Sequence, residues 1–155
     1  MAEETLSEKL ARHLAALQLK QIPVAVIEAA KLHILDTLGC LLAGSRLEPG
    51  RLAYDFAVAT GGGSVSVSNV TLLGTEARAS YLDAAQAMAV AAHCGEMDDI
   101  HSGAGTCIGA MIIPALLATA EKHGGSGGCF LEAVVAGYET TARSEERRVG
   151  KECRL

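Results

Sequence analysis

The chain has 155 residues, half of them apolar, a formal net charge of −5 and no tryptophan. That length fits one domain, and with no basic stripe interleaved with aromatics, nucleic-acid binding is excluded. The acidic start MAEETLSEKL is unlike a secretory signal, no apolar run reaches the ~18 residues of a membrane span, and five cysteines without CxxC spacing predict reduced thiols in a cytoplasmic protein with no membrane partner.

Ala, Leu, Val and Ile carry the core, which predicts an all-α helical bundle with at most a short β-hairpin near 64–73. Leu6, Leu10, Leu14 and Leu17 lie three or four apart and predict an amphipathic helix over 3–18. Pro23 opens a second helix where its missing N–H costs nothing; it runs to about Ala43, and Gly44 supplies the stop. Ile27, Ile34, Leu38, Leu41 and Leu42 form its apolar stripe. His33, Asp36 and Cys40 share another side, read as a hydrogen-bonded His–Asp pair at a helix contact rather than a site contribution. Pro49 and Gly50 mark a turn before a helix over 51–60, which Gly61-Gly62-Gly63 breaks. No Lys-Ser/Thr follows those glycines, so they read as a connector and not as a phosphate cradle. Val65, Val67 and Val70 make the strand or hairpin, and Gly74 closes it.

A helix of small side chains follows from about Glu76 to Cys94; being apolar all round, it is expected to be buried. Ser102 to Thr106 is a loop. Cys107 to Lys122 is again helical, with Pro114 near its start or kinking it, and Gly124-Gly125 ends it. Ser126 is the candidate N-cap of a last helix from Cys129 to about Thr140. Beyond Ala142 the texture changes. The eleven residues Arg143 to Cys153, RSEERRVGKEC, match the conceptual translation of a common sequencing adapter. The domain is therefore expected to span 1–142, with 143–155 a non-native tail; genomic reads continuing through this junction would refute that.

Chemistry concentrates in His93-Cys94-Gly95-Glu96-Met97-Asp98-Asp99-Ile100-His101, two imidazoles and three carboxylates between two apolar runs. Carboxylates are rarely buried without partners, and crowding them raises the cost of folding. If the helix persists past His93, Glu96 and Asp99 follow at successive i+3 positions, and Asp98 and His101 share the same spacing. Three readings stay open. Carboxylate and imidazole can exchange a proton with a substrate near neutral pH. His93, Glu96 and His101 could hold a divalent metal, although no recognised ligand spacing is present. A self-satisfied ion network, in a non-catalytic helical interaction domain, would also explain the charges.

The block Ala91 to His101, then GAMIIPALLATAE over 109–121 and AVVAGYE over 133–139, is similar to the MmgE/PrpD family, which includes 2-methylcitrate dehydratase, cis-aconitate decarboxylase and iminodisuccinate epimerase. Leu35 to Cys40, Ala43-Gly44 and Leu73-Gly74-Thr75 agree with it. The resemblance implies a mostly helical domain, a homodimer when full length, and a lyase or isomerase with no metal or organic cofactor. Its substrates would be small di- or tricarboxylates, worked on by proton transfer beside a carboxylate. It places catalytic residues at Glu96, Asp98, Asp99 and His101, with His93 and Cys107 in substrate binding. Ile100, Cys107 and Met88 stand where many members carry Thr, His and Asn. The resemblance also implies a longer protein whose further lysines and tyrosine lie beyond this chain. The chain alone is then expected to turn nothing over and, with apolar helix faces left uncovered, to aggregate or fold partially.

Overall fold

A computed structural model describes residues 4–60 and 69–149. The architecture is all-α: six helices and one two-stranded antiparallel ribbon among the described residues. The helices are α1 (Leu6–Ala15), α2 (Val24–Gly44), α3 (Glu48–Thr60), α4 (Tyr81–His93), α5 (Ile108–His123) and α6 (Gly127–Val149), with a 3₁₀ turn at Leu19–Gln21. Strands β1 (Asn69–Thr71) and β2 (Arg78–Ser80) pair with Val70 opposite Ala79.

The ends of the helices follow from local chemistry. Thr5 and Glu8 form a reciprocal capping box, so α1 starts at Leu6 rather than at residue 3. No α1 side chain is buried, and Leu6 remains 60% exposed, so its leucines only half-cover themselves. Pro23 stands one residue before α2, as its N-cap. Ser80 Oγ accepts from the Asp83 amide and starts α4 at Tyr81. The expected helix start at Glu76 is thus displaced by the second strand of the hairpin. The first strand of the hairpin lies within the expected 64–73 and the second beyond it; Gly61–Gly63, Val65 and Val67 fall outside the described residues. Ser126 does cap α6, accepting from the Cys129 amide, but α6 begins at Gly127 and runs past Thr140. Pro114 is buried well inside α5, not near its start.

α2 ends at Gly44, where the stop was expected, and a Cβ there would run into the Ala91 carbonyl oxygen of α4. Its bare backbone lets α2 and α4 cross closely. Pro49 and Gly50 lie inside the first turns of α3, not in a turn before it.

The larger core, Leu41, Tyr54, Val70, Leu72, Met88 and the α4 alanines, sits between α2, α3, α4 and the ribbon. A smaller one, Ala30, Ile113 and Val134, joins α2, α5 and α6. α4 is central, packing on α2, α3 and α5, and its small side chains permit that density. Val24, Leu32 and Leu35 on α2, and Leu52 and Phe56 on α3, stand exposed. Among the described residues no helix is long and apolar enough to cross a membrane. The C-terminal end of α4 and the N-terminal end of α5 are joined by residues 94–107, and this segment carries the charged cluster.

Candidate active site

α4 ends at His93, and residues 94–107 are non-helical, so the i, i+3 spacing expected past His93 does not operate. Glu96 takes a left-handed backbone conformation with φ 49°, an uncommon place for a residue with a Cβ. Its side chain is exposed. The neighbouring carboxylates Asp98 and Asp99 then enter separate networks.

The Asp98 carboxylate is 1% exposed, and both its oxygens lie 3.0 Å from Nδ1 of His93, whose own side chain is 56% exposed. An ionised carboxylate only accepts, so Nδ1 carries the proton and Nε2 is the free acceptor. Cys107 completes this network. Burial foremost, then the charge of Asp98 and a hydrogen bond to it, then Asp99 and Glu96, push its thiol above the ordinary range. Cys107 is therefore a protonated donor at neutral pH, not a thiolate nucleophile. His93, Thr106 and Cys107 open with Gln86, Val90 and Met111 onto a cavity of about 520 Å³.

Asp99 is tied on every side. Oδ1 accepts from the Gly109 amide in the first turn of α5 at 3.0 Å, and Oδ2 accepts from the Tyr138 hydroxyl of α6 at 2.9 Å. His33 Nδ1 of α2 stands 3.2 Å from Oδ2, and its ring lies 4.9 Å from that of Tyr138. Cys107 precedes α5 without capping it, so Asp99 fills that role from ten residues' distance on the helix's positive end. Gly109 makes this possible, since a Cβ would collide with Asp99 Oδ1 and Thr37 Oγ1. Burial and the Asp99 carboxylate hold the Tyr138 phenol far above its usual pKa. Burial, then Asp36, Asp98 and Asp99, also raise Cys40.

His101 accepts through Nδ1 from the Ala104 amide at 3.0 Å and pairs with Thr106 across an isolated bridge. It faces a second cavity of about 230 Å³, shared with His33, Tyr138 and Glu139. The structure thus brings His93, Asp98 and Cys107 together on one side of the segment, and Asp99 with His33, Tyr138 and Gly109 on the other. The metal trio His93, Glu96 and His101 is not assembled. Asp36, the expected partner of His33, is exposed, and His33 pairs with Asp99 instead. His33 and Tyr138 were not anticipated as site residues; the i+3 imidazole and carboxylate on α2 were the available signal for the first. Among the described residues no Lys or Arg lines either cavity.

The sequence profile of the MmgE/PrpD N-terminal domain matches residues 8–150. The chain belongs to the MmgE/PrpD family. No curated protein and no solved structure matches it. The MmgE/PrpD match spans both carboxylate networks, from His33 to Tyr138, and places the two networks and both cavities inside a domain of an enzyme family.

Proposed function

We propose that this chain is the N-terminal domain of a cofactor-independent lyase or isomerase that moves a proton beside a carboxylate of a small di- or tricarboxylate, in the manner of 2-methylcitrate dehydratase. One observation carries the reading: a buried carboxylate, Asp98, holds an exposed imidazole, His93, at the mouth of the larger cavity. Its 520 Å³ lies within the ~300–1,000 Å³ usual for small-molecule sites, which the 230 Å³ cavity does not reach.

The chemistry follows from that geometry. Asp98 fixes the tautomer that leaves His93 Nε2 bare, and stabilises the imidazolium once Nε2 has taken a proton from carbon. Cys107 and Thr106 offer neutral donors to the carbanion's carboxylate or to a leaving hydroxyl. Loss of water, loss of CO₂ or return of the proton to the opposite face then separates dehydration, decarboxylation and epimerisation. Glu96, exposed on the segment between His93 and Asp98, is a further carboxylate beside this site. Asp99 and His101 shape the loop that carries Asp98, and His101 keeps an Nε2–H donor toward the second cavity.

Asp98 and Glu96 lie beside this site as acids, and among the described residues neither cavity is lined by a lysine or arginine. The cations that bind a polycarboxylate are therefore assigned to the remainder of the enzyme, in a cytoplasmic homodimer. The test is deuterium exchange at the carbon beside a carboxylate, followed by NMR with 2-methylcitrate and a panel of related acids, on the complete enzyme. Wild type is expected to exchange, while His93→Gln and His101→Ala lower the rate, the former by at least ~100-fold. Exchange at an unchanged rate in His93→Gln would remove the imidazole from the mechanism.

A further inference from the structure

We propose that His93, Asp98 and Cys107 also form a binding site for a single borderline-soft divalent transition-metal ion, with zinc the best fit, and that this ion inhibits the enzyme rather than serving it. The three side chains offer nitrogen, oxygen and sulfur donors, and those donor atoms all lie within 4.8 Å of one another. Bonds of ~2.0–2.3 Å from a tetrahedral zinc place its ligands roughly 3.3–3.8 Å apart, so small side-chain rotations bring all three onto one ion. The mixed set suits zinc better than calcium or magnesium, which take oxygen ligands and tolerate a thiolate poorly.

The site has features a surface coincidence lacks. Its ligands come from three separate places: the last residue of α4, the linking segment and the residue preceding α5. Asp98 is 1% exposed and already held in place, whereas the 56% exposure of His93 leaves a route of entry. The cavity of about 520 Å³ beside His93 and Cys107 leaves room for a fourth ligand, a water molecule or one oxygen of a carboxylate.

Binding balances simply. The ion takes Nδ1 of His93, an oxygen of Asp98 and Sγ of Cys107. The His93 proton now carried on Nδ1 moves to Nε2, and the Cys107 thiol proton leaves to solvent. The bare Nε2 that accepts the substrate proton is thereby lost, and Asp98 no longer orients the ring. Inhibition rests on the proton-transfer role proposed above for His93; the binding itself does not.

The test uses the complete enzyme, stripped with a chelator and titrated with cobalt(II) alone, a spectroscopic stand-in for zinc. One cobalt per chain is expected, with the near-ultraviolet thiolate charge-transfer band and the strong visible bands of a tetrahedral ion. Cys107→Ser should abolish the charge-transfer band, and His93→Ala, at an exposed position, should weaken binding at least ~10-fold. Cys129→Ser, on the exposed side of α6, should change neither. A cobalt spectrum without a thiolate band, or a band surviving Cys107→Ser, overturns the site. Binding that persists unchanged in His93→Ala overturns it as well, even if Cys107→Ser fails to fold. Zinc binding without inhibition of exchange in the complete enzyme would leave the site standing and sink the inhibitory role.

Discussion

Asp98 and Asp99 are adjacent, identical in chemistry, and differ in almost everything the fold does with them. Asp98 has one histidine at the edge of a roomy cavity and a thiol beside it. Asp99 has an amide, a phenol and a histidine drawn from α5, α6 and α2. Three helices converge on Asp99; Asp98 is served by the segment's own ends. A tandem of carboxylates in non-helical chain is thus divided between two tasks. One carboxylate ties helices together, and the other holds a histidine at the edge of a cavity.

Substitutions sharpen that division. Asp99→Asn should lower stability by about 2–3 kcal/mol and the melting temperature by several degrees, because the amide loses the charge at the α5 terminus and cannot accept from all three partners. Calorimetry on wild type and variant checks it, and an unchanged melt would dissolve the distinction between the two aspartates. Tyr138→Phe should have a smaller effect, about 1 kcal/mol at neutral pH, from the lost hydrogen bond to Asp99.

The same tyrosine gives an alkaline signature. Its phenol is held above the ~10 of an unfolded tyrosine, so between those values the folded chain binds more protons than the unfolded one. Stability then falls as pH rises beyond about 10, and Tyr138→Phe should flatten that fall. Tyr54, pushed up to about 12 by burial and then by Cys94, leaves a residual slope. Denaturant melts between pH 9 and 11 read this directly, and equal slopes in wild type and variant would contradict the burial of Tyr138 against Asp99.

Much of this was legible in the sequence. The alanine run of α4 and the apolar 109–121 segment predicted buried helices, and Ser126 and Pro23 marked helix starts within a residue or two. The MmgE/PrpD motif located the charged segment between them. One glycine misled because it serves close packing: Gly50 reads as part of a turn but lies in the first turns of α3, against the Gly44 carbonyl. Helical spacing misled past His93, because nothing local signals the left-handed turn at Glu96. The split of Asp98 from Asp99 was hidden for a tertiary reason. It depends on Gly109 and Tyr138 meeting Asp99 from positions ten and thirty-nine residues away.

The most direct measurement is deuterium exchange and thermal melting of Asp98→Asn in the complete enzyme, read beside the Asp99→Asn melt. Asp98→Asn is expected to exchange at least ~100-fold more slowly, about 2.7 kcal/mol of transition-state stabilisation, while melting closer to wild type than Asp99→Asn does. Near-normal exchange in Asp98→Asn, or a melt that falls further than that of Asp99→Asn, would contradict the assignment of chemistry to one aspartate and architecture to the other.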